Sequence, residues 1–122
     1  MNTETLSRMN TYLDEQIARC KEKEKALLSD GRSDEADFEK VRANIFDVFR
    51  TVLSAGTKAC SGDLSRAKQF FEEKTVQIPS NWETAYEKAK QHNDTARMHI
   101  EQIKLDAVRE IRETFSMLGE ES

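Results

Sequence analysis

The side chains best suited to chemistry are few: two histidines, His92 and His99, and two cysteines, Cys20 and Cys60. The histidines are seven positions apart. On one continuous helix that spacing puts them on one edge, about 10.5 Å apart. Zinc sits about 2.0–2.1 Å from each ligand nitrogen, so the pair cannot share an ion unaided. Carboxylate di-iron bundles use paired Glu-x-x-His motifs. The residues three before His92 and His99 are Ala89 and Ala96, so that motif is missing. Both histidines read as half-buried, hydrogen-bonded groups at the edge of an apolar stripe.

Nucleophilic catalysis needs a Ser or Cys beside a His and an orienting carboxylate. Neither Cys20 nor Cys60 has a Cys-x-x-Cys partner, a helix N-terminus or a glycine-rich turn to activate it. Gly31, Gly56, Gly62 and Gly119 stand apart from one another, so no loop is built to cradle phosphate. Carboxylates are plentiful, but on amphipathic helices they fall mostly on the solvent side. The expectation is a chain that is not an enzyme and has no cofactor and no metal site.

Charge narrows the partners. There are 19 Lys+Arg against 23 Asp+Glu, a formal net charge of −4. No segment is basic, which leaves little drive for nucleic-acid binding. A helix-turn-helix across Ser61-Gly62-Asp63 would present Glu72 and Glu73 beside Arg66 and Lys68, a poor match to DNA. Membrane-surface binding needs a cationic polar face. Arg97, Lys104, Arg109 and Arg112 instead interleave with Glu101, Asp106, Glu110 and Glu113.

The elements that would position these residues are helical. Four Gly and one Pro in 122 residues are too few for a loop-rich β protein. One all-α domain is expected, an antiparallel helical bundle of three long helices and one short, at about residues 3–29, 33–60, 64–75 and 81–118. Leu6, Met9, Leu13, Ile17 and Cys20 stripe the first helix, which stops at Asp30-Gly31. Phe38, Val41, Ile45, Val48, Phe49 and Val52 stripe the second, with Ser33 as its N-cap and fraying or a kink expected near Ser54-Ala55-Gly56. A hairpin about Gly31 puts Cys20 beside Arg42, about 27 Å along the helix from Cys60, too far for a disulfide.

The short third helix carries Leu64, Ala67, Phe70 and Phe71 and ends at Ile78-Pro79. Ser80 and Glu83 have the spacing of a capping box that opens the fourth helix. No Gly or Pro interrupts that helix before Gly119, so it reads as about 57 Å long against about 40 Å for the first two. Trp82 and Tyr86 read as an aromatic plug closing one end of the bundle.

That overlong helix carries the functional expectation. Its apolar surface widens from Met98 onward, and large exposed apolar surfaces mark interaction sites. The expected role is non-enzymatic protein–protein contact, as a homodimer or with another protein, through Met98, Ile103, Leu105, Val108, Ile111 and Phe115. The rivals are a small-ligand or metal-binding bundle around His92 and His99, and a DNA-binding regulator. The longest aliphatic run is Ala26-Leu27-Leu28, far short of the roughly 20 residues that span a bilayer, and the first residues do not resemble a signal peptide. A cytoplasmic protein is expected, with no membrane and no nucleic acid among its partners.

Overall fold

The computed structural model describes residues 1–120. These form five helices: α1 (Thr3–Ser29), α2 (Ser33–Ala59), α3 (Leu64–Gln77), α4 (Ser80–Gln91) and α5 (Thr95–Glu120). The fold is an all-α helical bundle, with no strand among the described residues. None of these helices is long and apolar enough to cross a membrane.

The long fourth helix expected at 81–118 is two helices. The chain turns back at His92-Asn93-Asp94, where Asn93 adopts φ +54°. The amide of Asp94 donates to the Ala89 carbonyl at 2.9 Å, and that of Asn93 to Lys90 at 3.2 Å. These are the two bonds of a Schellman stop, in which Asn does the work that Gly usually does. Asp94 then caps α5, its Oδ1 accepting from the Arg97 amide at 3.0 Å.

This break equalises the architecture. α3 and α4 follow one another up the same side of α5. Phe71 meets Phe115 at 4.7 Å between ring centroids, and Trp82 meets Lys104 further along. Both pairs are symmetric about Asn93, so α3 and α4 act as one antiparallel leg, interrupted at Ile78-Pro79. The legs are then α1, α2, α3 with α4, and α5, each close to about 40 Å long. A continuous helix over 81–118 would have overhung its neighbours by about 17 Å.

The α3–α4 junction explains a second difference. Ile78 is helical (φ −63°, ψ −47°) although it precedes proline, and the residue before α4 is Pro79 rather than Ser80. Ser80 is already inside the helix, and its hydroxyl donates to the Gln77 carbonyl at 2.7 Å. With no extended residue ahead of α4, the Ser80–Glu83 capping box does not form. α1 is capped by Asn2, which accepts from the Thr5 amide at 2.7 Å, and α2 starts without a side-chain cap on Ser33.

The core runs along the axis of the four legs. Met9, Leu13, Ile17 and Cys20 come from α1, Ile45, Phe46, Phe49 and Leu53 from α2, and Phe71 from α3. Ala107, Val108, Ile111 and Phe115 of α5 complete it. Phe71 is the joint: wholly buried, it stands edge-on to Phe49 at 6.2 Å and to Phe115. α2 stays helical through Gly56 to Ala59 rather than fraying there. Gly56 is buried and lets Phe70 lie against the backbone: a Cβ there would sit 2.5 Å from the ring.

Candidate functional site

The residues expected to form an interface divide in two. Val108, Ile111 and Phe115 are at most 5% exposed and belong to the chain's own core. Met98, Ile103 and Leu105 are half-buried. The apolar surface of α5 is largely used inside one chain, where it shares the core with α1, α2 and Phe71 of α3.

The histidines no longer share a helix. His92 ends α4, His99 lies in α5, and both are exposed rather than half-buried. His99 stands edge-on to Phe38 at 4.3 Å between ring centroids. Among the described residues no three His, Cys, Asp or Glu side chains gather into a metal-binding group. The cysteines lie as the hairpin geometry requires: both are free, Cys20 buried and Cys60 half-buried. Burial pushes the Cys20 thiol above its ordinary range, partly offset by the charge of Arg42. Burial would pull Arg42 down, but its ion pair with Glu110 at 2.5 Å raises it overall. The thiol is held protonated and is a poor nucleophile.

One side chain was missed in the sequence. Glu101 of α5 is only 1% exposed. Its Oε1 forms an ion pair with Arg97 Nε at 3.1 Å and accepts from Lys104 Nζ at 3.3 Å, while Oε2 is buried with no hydrogen-bond partner. Lys104 also lies over the indole of Trp82, its nitrogen 5.8 Å from the centroid. The hairpin register puts Ala85 level with Glu101. The available signal was its position seven residues before Val108, with cations at i−4 and i+3. Beside it, Ala85, Lys88, Ala89, His92, Asp94 and Arg97 line a shallow open groove. Lys104 ties Trp82 to α5, and the partly buried indole packs against the main core.

A second surface lies at the other end of α5. Glu72, Thr75 and Val76 of α3 face Arg112, Phe115 and Ser116 across a groove of about 270 Å³. On the far side of the Arg112–Ser116 ridge, Arg109, Glu113, Met117 and Glu120 line a second open depression. Val76 is 56% exposed and Met117 54% exposed, large apolar side chains on adjoining helices. The other two such residues, Leu28 and Val48, stand on α1 and α2.

The class defined by this geometry is an all-α bundle of four legs, with a buried carboxylate at one hairpin and a partly apolar face at the other end. Compared with known proteins, the chain matches no family model, no curated protein and no solved structure.

Proposed function

We propose that this chain is a non-enzymatic helical bundle that acts through protein–protein contact, and that its contact surface is the α3–α5 face. The observation that carries this reading is the pair Val76 and Met117, more than half exposed on two packed helices and lining two open depressions that share Arg112 and Ser116. Exposed single apolar residues are ordinary on a protein surface. Two that flank one ridge, above a groove floored by Phe115 and rimmed by Glu72 and Arg112, have the layout of a small interface with an apolar centre and a polar edge. This surface replaces the Met98–Phe115 stripe as the place of contact, since much of that stripe is already covered.

The test is a photo-crosslinking residue placed singly at Val76, at Met117 and at Leu28 in the full chain, irradiated in intact expressing cells. Discrete protein adducts from positions 76 and 117, and none from 28, are expected. Equal labelling from all three, or none from any, would overturn the reading.

A further inference from the structure

We infer that the occupant of the α3–α5 face is a second copy of this chain, docked with the two α5 helices antiparallel and centred near Phe115 and Ser116. The inference rests on the contact reading above and adds the partner and its orientation. Its basis is the order of charge along the outward stripe of α5. Arg109 and Arg112 come first, and Glu113 and Glu120 follow. A parallel pairing would set like charge on like charge. An antiparallel pairing about this centre puts Glu120 of the partner subunit level with the stretch between Arg109 and Arg112, and the reverse pair forms by symmetry. Glu113 then falls level with Leu118 of the partner subunit, with no acid opposite it.

Two features of the single chain leave these charges open to such a partner. Neither Arg112 nor Glu113 makes an ion pair with another described residue; Arg109 pairs only with Asp106, and both of those side chains are well exposed. Glu120 ends a helix that has no basic residue in its last turn, so its charge adds to the negative end of the dipole. Arginines arriving from an antiparallel neighbour would relieve both. Small Ser116 on the ridge allows close approach, while Val76 and Met117 supply apolar area to either side. The stretch from Arg109 to Glu120 is only about 17 Å long, which implies a small interface and an association in the micromolar range or weaker.

Sedimentation equilibrium of the full chain, from about 1 μM to 1 mM at low and high salt, tests this. A monomer–dimer equilibrium that weakens with salt is expected. Arg109→Glu with Arg112→Glu, or Glu120→Arg alone, should each raise the dissociation constant about tenfold or more. The three substitutions together restore opposite charges and should recover most of the affinity. Circular dichroism accompanies each variant, and every site is exposed, so the fold should persist. A wild-type chain that stays monomeric throughout overturns the inference, and if Val76 and Met117 still crosslink to another protein the contact reading survives alone. A dimer abolished by Val76→Glu with Met117→Glu but indifferent to the charge reversals overturns the antiparallel register.

Discussion

Trp82 of α4 and Lys104 of α5 stand at equal chain distance from Asn93, and the ammonium rests 5.8 Å from the indole centroid. That relationship exists only because the chain reverses at Asn93, and the reversal makes a four-legged bundle from what reads as one overlong helix. A β-branched residue in the left-handed region costs roughly 1–2 kcal/mol. Asn93→Val should therefore lose about that much stability in urea denaturation, while Asn93→Gly should stay close to wild type. Asp94→Ala removes the α5 cap and should cost about 1 kcal/mol. Wild-type stability in Asn93→Val would argue for a continuous helix.

Glu101 combines two cations on one oxygen with nothing on the other. Arg97 is largely exposed and Lys104 partly so, so both can return to water if the carboxylate is removed. Replacing buried ionic groups by apolar ones of similar size is often neutral or stabilising. Glu101→Leu should hold stability or raise it by about 1 kcal/mol, because the unpaired oxygen disappears. A loss above about 2 kcal/mol in denaturant titration would show that the ion pairs contribute more than the orphan oxygen costs.

Gly56 and Phe70 set two effects against each other. Alanine is the better helix former by about 1 kcal/mol. A Cβ 2.5 Å from the Phe70 ring forces a shift that typically costs about 1–3 kcal/mol. Gly56→Ala should thus destabilise the wild type. In a Phe70→Ala background the same change should stabilise by up to about 1 kcal/mol. The reversal of sign, read from thermal or urea midpoints, separates packing from propensity.

The thiols should behave differently. Cys60 is half-buried and Cys20 is 3% exposed, so a thiol reagent at mild pH should modify Cys60 about tenfold faster or more. Burial raises the Cys20 value above the ordinary 9.0. The folded state holds that proton more tightly than the unfolded one. Its contribution to stability is therefore full below about pH 9 and is lost as pH climbs through the raised folded value. Cys20→Ser should flatten the alkaline fall in stability; an identical alkaline limb would contradict the assignment.

The first half of the fold was legible because α1 and α2 carry stripes at a helical period and Gly31, at φ +74°, makes the left-handed stop its position suggests. The last third was misread at Asn93. Neither Gly nor Pro marks that turn, and the signal present was the subtler pair of an Asn that tolerates positive φ followed by an Asp placed to cap. Missing it hid the α3–α4 leg and the contact of Phe71 with Phe115. Glu101 was lost because a carboxylate flanked by cations at i−4 and i+3 reads as a solvated group, although its place seven residues before Val108 puts it on the buried face of α5. Val76 and Met117 are unremarkable in one dimension, since only the packing of α3 on α5 brings them to depressions that share Arg112 and Ser116.

The most direct test of a self-contact on the α3–α5 face is the solution mass by light scattering across a hundredfold concentration range. Wild type and the Val76→Glu/Met117→Glu variant would be compared under the same conditions. Wild type should climb from 14.1 kDa toward twice that mass, while the variant stays at 14.1 kDa with unchanged helicity. A wild type fixed at the monomer mass, or a variant that dimerises as readily, would contradict it.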